Sequence, residues 1–185
     1  MPSPAPLLIT AFGPFGGRTV NASALALRGL RQTDRSFNYR ILPVDQFEGP
    51  RRLRDAVRRL APRALLLLGE AAGAGGIRLE TRAWNKLDFS IPDIAGRQPR
   101  GRPIDATAPA TISTPVDVRR LRQTLSRAGH PVELSKDPGR YLCNQIYFTA
   151  LHQAAIPAIF VHLPLEERFP TARAVEAIRI IAAAL

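Results

Sequence analysis

The chain holds a single cysteine, Cys143, and three histidines, His130, His152 and His162. A thiol becomes a nucleophile when it loses its proton, so its surroundings decide whether it reacts or is inert core. Cys143 follows the loop Lys136–Arg140 and enters a helical pattern over Leu142–Gln153. The first turn of a helix carries free N–H groups and partial positive charge, and both favour an anionic sulfur. A cysteine nucleophile needs a base. His152 is nine residues on along the same helix, on its opposite face and about 13 Å away along the axis, out of reach. His130 precedes a strand at Val132–Ser135, which puts it at the amino end of a parallel sheet. His162 ends a strand at Ala158–His162, at the carboxyl edge where Cys143 is also expected, and is the histidine the topology allows. An imidazole base in turn wants a carboxylate to orient it. Glu70, Glu80 and Asp93 all follow the strand Ala64–Leu68, and spacing alone does not choose among them. Isolated histidines without His-x-x-x-His or Cys-x-x-Cys spacing build no metal site, and no cofactor is expected. The loop Gly13-Pro14-Phe15-Gly16-Gly17 lacks the lysine and spacing of a P-loop. Its aromatics, Phe12 and Phe15, suit the wall of an apolar pocket, or ordinary core.

The elements that must position these groups alternate. Leu7–Ala11 reads as a buried strand ended by Gly13-Pro14. Asn21 caps a helix to about Gln32. Phe37–Val44 is a strand. Pro50 opens a basic amphipathic helix to Leu60, with Leu53, Ala56, Val57 and Leu60 inward. Ala64–Leu68 is a buried strand closed by Gly69. Residues 69–113 read as a long irregular segment, with Arg82–Phe89 a candidate strand inside it. Pro115 starts a helix to about Ala128, Val132–Ser135 is a strand, Ala158–His162 another, and Thr171 caps a helix to Leu185. Strands alternating with helices predict an α/β fold, a sandwich around a mostly parallel sheet, with its site beyond the carboxyl ends of the strands. No repeat or linker divides residues 1–185, so one domain is expected.

Composition narrows the function classes. The 185 residues carry a net charge of +11, which invites a nucleic-acid reading. Only Lys86 and Lys136 among the 26 cations are lysine, and GC-rich codons give the same arginine bias. The densest cluster, Arg51, Arg52, Arg54, Arg58, Arg59 and Arg63, falls on the wet face of one amphipathic helix. One Trp and three Tyr offer little for base stacking, so no nucleic-acid partner is expected. The longest apolar runs, Ala64–Leu68 and Ile180–Leu185, are far below the roughly 20 residues of a membrane span. The first residues lack a basic n-region and a long apolar core, so no secretory signal is expected in them. One cysteine permits no internal disulfide, and a reducing cytoplasm is the expected compartment.

Three segments together resemble the pyroglutamyl peptidase I family of cysteine exopeptidases. Leu7-Leu8-Ile9-Thr10-Ala11-Phe12-Gly13-Pro14-Phe15-Gly16-Gly17, with Asn21 after it, is similar to the family's opening. Gly139-Arg140-Tyr141-Leu142-Cys143-Asn144 resembles the segment of its nucleophile, and Phe160-Val161-His162-Leu163-Pro164 that of its histidine. Between them Gly69-Glu70-Ala71, Glu80-Thr81-Arg82-Ala83-Trp84-Asn85, Ile91-Pro92-Asp93 and Gln98-Pro99 follow the family order over nearly the whole chain. The resemblance implies Cys143 as nucleophile, His162 as base and Glu80 as the third catalytic residue. It implies Phe12 and Phe15 around a flat lactam ring and backbone groups with Asn21 at the ring's polar edge. It further implies a three-layer α/β/α sandwich, a small peptide substrate with an N-terminal pyroglutamyl group, no cofactor, no membrane, a cytosolic location and often a homo-oligomer, dimer or tetramer.

The chain also departs from the family. Glu70 stands where the family usually has Gln, Ser90 where it usually has Arg, and the part after Cys143 is shorter. An ionised Glu70 accepts a bond from a lactam N–H but donates none to a carbonyl. Left charged in the pocket, it would repel a substrate carboxylate. These departures keep open a second reading, a binding protein or an enzyme of altered specificity on the same scaffold.

Overall fold

A computed structural model describes residues 6–154 and 156–185. The expectation of no secretory signal rests on the first residues, of which positions 1–5 lie outside the described residues. The main sheet has six strands: β1 (Leu8–Phe12), β2 (Asn38–Leu42), β3 (Leu65–Glu70), β4 (Ile77–Glu80), β7 (Val132–Ser135) and β8 (Ala158–Leu163), in the order β2-β1-β3-β8-β4-β7. A small antiparallel pair, β5 (Arg82–Trp84) and β6 (Thr111–Ser113), lies beside it. The helices are α1 (Ala22–Thr33), α2 (Glu48–Leu60), α3 (Val118–Arg127), α4 (Leu142–Gln153) and α5 (Thr171–Ala184). Neighbouring main-sheet strands run parallel except where β4 meets β8 antiparallel.

The central strands are apolar on both faces, as strands covered by helices must be. On one side Leu66, Leu68, Ile159 and Val161 pack under α1, α3 and α5 through Leu27, Leu121 and Ile178. On the other, Leu65, Leu67 and Phe160 pack under α2 and α4 through Leu53, Ile146 and Phe148. The result is the expected three-layer sandwich. No described helix is long and apolar enough to cross a membrane.

Several expectations are corrected. α2 begins at Glu48, before Pro50, because the Asp45 carboxylate accepts from the N–H groups of Phe47 and Glu48 and starts the helix there. Gly69 does not close β3; it stays in the ladder opposite His162. The segment 69–113 hides β4 and β6, and the proposed strand Arg82–Phe89 shrinks to β5. β4 is too short for its alternation to stand out, and is held only by its neighbours β7 and β8. The arginines of α2 do form its wet face, where Arg51 and Arg58 pair with Glu48 and Asp55 of the same helix.

Candidate active site

Cys143 is the second residue of α4, half-buried, two residues after the N-cap Tyr141. No side chain caps this helix, so its first-turn N–H groups face the region of the sulfur. Asn144 fixes the helix start. Its Oδ1 accepts from the Trp84 N–H at 2.8 Å, and its Nδ2 donates to the carbonyls of Trp84 and Lys86. The floor beneath the sulfur is Gly69. A Cβ there would lie 3.1 Å from Cys143 Sγ and 2.8 Å from the Phe160 ring, so only glycine lets α4 come this close to β3.

His162 sits on β8 between Gly69 of β3 and Arg78 of β4. Its Nδ1 lies 2.8 Å from Glu80 Oε1, and both side chains are buried. An ionised carboxylate only accepts, so Nδ1 carries the proton and Nε2 is left for the sulfur. Burial alone would lower the imidazole's pKa. The adjoining Cys143 and Glu80 outweigh burial and push it up to about 9. Glu80 reaches the ring diagonally: its register partner on β8 is Phe160, and β4 runs against β8. The Tyr147 hydroxyl donates to the Glu80 carbonyl at 2.8 Å and ties this strand to α4.

The other two carboxylates are committed elsewhere. Asp93 accepts from the N–H groups of Gln46, Ala95 and Arg97. Glu70 is not the free charge that the sequence suggested. Its Oε2 accepts from the Ala22 N–H at 2.6 Å, at the start of α1, and its Oε1 lies 3.1 Å from Arg18 Nε. His130 and His152 stay away from the sulfur, the first for a reason the sequence did not show. Because β7 runs against β8, the start of β7 lies at the same sheet edge as His162. His130 is nevertheless separated, since it packs on the opposite face against Phe169 and Glu176. His152 faces Asp105. Among the described residues no three His, Cys, Asp or Glu side chains cluster as a metal site.

The pyroglutamyl peptidase family model matches residues 5–170 of this chain. The chain belongs to the pyroglutamyl peptidase family. It is 33% identical over 165 residues to a pyrrolidone-carboxylate peptidase of Vibrio parahaemolyticus, with 86% of this chain and 78% of that protein covered. A relative of the same name from Thermococcus kodakarensis is 33% identical, with 85% and 80% covered. Among solved structures, the pyrrolidone carboxyl peptidase of Fervidobacterium islandicum superposes with a TM-score of 0.90 at 30% identity, covering 95% of each chain. That of Thermus thermophilus gives 0.89 at 31% identity, covering 97% of this chain and all of the other.

The remaining family-motif residues divide into wall and frame. Phe15 is half-buried and stacks on Tyr141, with centroids 5.8 Å apart and planes at 27°. Tyr141 in turn meets Phe89 edge-on and donates its hydroxyl to the Pro92 carbonyl. Phe15 and Tyr141 are thus partly exposed rings just before the start of α4, backed by the fully buried Phe89. Phe12 ends β1 and is only 3% exposed, packed in the core beneath. Asn21 is buried and its amide is spent on the frame. Its Oδ1 accepts from Ser23 N–H and Oγ, and its Nδ2 donates to the Gly13 carbonyl at 3.4 Å. Sequence reasoning missed Tyr141 as part of the wall, Asn144 as the anchor of α4, and Arg18 altogether. Tyr141 and Asn144 flank the nucleophile and could have been found from that adjacency. Arg18 was one arginine among many.

Proposed function

We propose that the chain removes an N-terminal pyroglutamyl (5-oxoprolyl) group from peptides, as a cysteine peptidase using Cys143, His162 and Glu80. The observation that carries this reading is His162, held by Glu80 through Nδ1 and adjoining Cys143. Pure binding would have no use for that arrangement, which weighs against the binding-protein alternative.

The lactam ring lies against Phe15 and Tyr141. Asn21 acts through the loop it holds, and Phe12 supports that loop from below. The Cys143 proton passes to His162, and the sulfur attacks the carbonyl carbon that joins the lactam to the peptide. First-turn N–H groups of α4 stabilise the oxyanion of the tetrahedral intermediate. His162 returns the proton to the leaving amine as the C–N bond breaks, leaving a thioester on Cys143. His162 then draws a proton from water, which attacks the thioester, and pyroglutamate leaves with the thiol restored. Glu80 keeps the ring in the useful tautomer throughout. One domain, residues 1–185, carries all of these groups, and no cofactor enters the scheme.

The test is release of a reporter amine from its pyroglutamyl amide, with and without a thiol alkylator. Release that the alkylator and Cys143→Ala both abolish is expected. Release that survives Cys143→Ala, or none from the purified chain, refutes the reading. A cytoplasmic location suits a lone working thiol. Assembly as a homodimer or homotetramer is the family expectation, which sedimentation would test.

A further inference from the structure

The carboxylate of Glu70, at the carboxyl end of β3, is a buried charge with its side chain 5% exposed; it turns to the face opposite Gly69, towards the start of α1, where Arg18 of the loop that carries Phe15 meets it. An anion so placed attracts any cation that enters the site, because a low-dielectric surrounding screens it poorly. An ordinary peptide carries such a cation, its α-ammonium. A pyroglutamyl peptide does not, since its ring nitrogen is a neutral lactam. Glu70 alone would therefore select the wrong amino terminus.

Two groups answer that charge. The Ala22 N–H at the start of α1 supplies a hydrogen bond and the positive end of a helix, but no full charge. Arg18 supplies the full charge, with Nε 3.1 Å from Glu70 Oε1. Among the described residues no other cation is ion-paired with Glu70. Arg18 projects from the same loop as Phe15. That loop turns through Gly16 and Gly17, both at positive φ, and closes with the Arg18 N–H on the Phe15 carbonyl. The loop that offers the ring wall thus also carries the counter-charge.

Resting on the proposed activity, we infer that Arg18 is a specificity-determining residue: by cancelling Glu70 it keeps the pocket neutral, so that a lactam is accepted and an α-ammonium is not. The pair also pins the far end of the loop that Asn21 holds at Gly13, but the selectivity comes from the charge. Glu70 with Arg18 then does the work of a neutral side chain, and Glu70 by itself is not a mark of altered substrate.

The experiment compares pyroglutamyl and prolyl amides of one reporter amine. Their rings are alike in size and differ in a neutral lactam nitrogen against a charged one. Wild type, Arg18→Gln, Glu70→Gln and the double variant are assayed, with thermal melts to confirm folding. Protection of Cys143 from a slow alkylator by pyroglutamyl amide and by prolinamide is measured alongside, a binding readout that needs no turnover. In Arg18→Gln the prolyl-to-pyroglutamyl ratio of kcat/KM and of protection should rise by about tenfold or more, the scale of one uncompensated buried charge. Adding Glu70→Gln should return the ratio to within about threefold of wild type, although the loop still lacks its ion pair.

A ratio unmoved by Arg18→Gln overturns the inference. A ratio that rises but is not restored in the double variant also overturns it, since Arg18 would then act only by holding the loop. Wild type that binds pyroglutamyl amide without turnover refutes the proposed activity, while the protection ratios still decide the role of Arg18. Wild type protected by neither ligand overturns both.

Discussion

Gly69→Ala tests the closeness of α4 to β3, on which the site depends. The added methyl would sit 2.8 Å from two ring carbons of Phe160 and 3.1 Å from Cys143 Sγ. Carbon pairs settle at about 3.5–4.0 Å, so the ring must retreat by roughly 0.7 Å or more. It has little room. Phe160 is fully buried and packs against the Tyr147 and His162 rings at 5.8 and 4.8 Å. Displacement therefore reaches the base as well as the sulfur. Overpacking of this kind costs about 1–3 kcal/mol. For a chain of this size that lowers Tm by roughly 2–12 °C. Moving sulfur and imidazole apart by up to an ångström should lower kcat/KM on the pyroglutamyl amide by on the order of 10–100-fold. Both are read on one preparation, by melting and by initial rates. Gly73→Ala serves as the control, because a Cβ there meets nothing within 4 Å and should change neither quantity. A Gly69→Ala enzyme within about twofold of wild type in rate, with an unchanged Tm, would refute the packing argument.

Glu80→Gln should keep the fold but reduce kcat/KM by on the order of 10²–10⁴-fold, by losing the charge that holds the His162 tautomer; a loss under tenfold would remove Glu80 from the mechanism. The His162 imidazole should titrate near pH 9 in wild type by nitrogen NMR, and at lower pH in Cys143→Ala, where one of the two groups that raise it is gone and burial still lowers it. An unchanged midpoint would mean the sulfur does not face the ring. His130 is buried with neither ring nitrogen hydrogen-bonded among the described residues, and burial pulls its pKa below 6.5, with Glu176 opposing and Arg173 assisting. The unfolded chain then takes up this proton first, so stability should fall as pH drops below about 6.5, and fall less steeply in His130→Leu; parallel urea-midpoint curves would count against it. Asn144→Ala should slow alkylation of Cys143 and lower activity together, because the start of α4 loses three hydrogen bonds to β5 and the turn after it; loss of stability with an unchanged alkylation rate would make Asn144 purely structural.

Much of the scaffold was legible because local chemistry is strong in it. Asn21 announces α1 and caps it through the Ser23 N–H. The helix predicted over Leu142–Gln153 and the strand over Val132–Ser135 appear with those bounds, because turn residues frame each of them. The apolar runs that became β1, β3 and β8 carry the signature of strands covered on both faces. Where sequence reasoning failed, the determining contact was distant. Ile77–Glu80 is a strand because β8 and β7 flank it. Gly69 resembles a terminator, yet its lack of a side chain serves Cys143, 74 residues on.

The candidate site shows the same division. Residue type and helix position single out Cys143, but strand position did not separate His162 from His130: antiparallel β7 starts at the same sheet edge, and only the face on which His130 packs keeps it from the sulfur. The choice among Glu70, Glu80 and Asp93 was open to spacing and came only from family resemblance. The tertiary structure separates them physically. Antiparallel β4 brings Glu80 across to His162, α1 and Arg18 take up Glu70, and the turn at 93–97 encloses Asp93. A carboxylate's partner depends on which strand direction and which face bring it within 3 Å, and no local pattern encodes either. The sequence by itself determined which groups could react; packing decided which of them meet and which charges are cancelled before a substrate arrives.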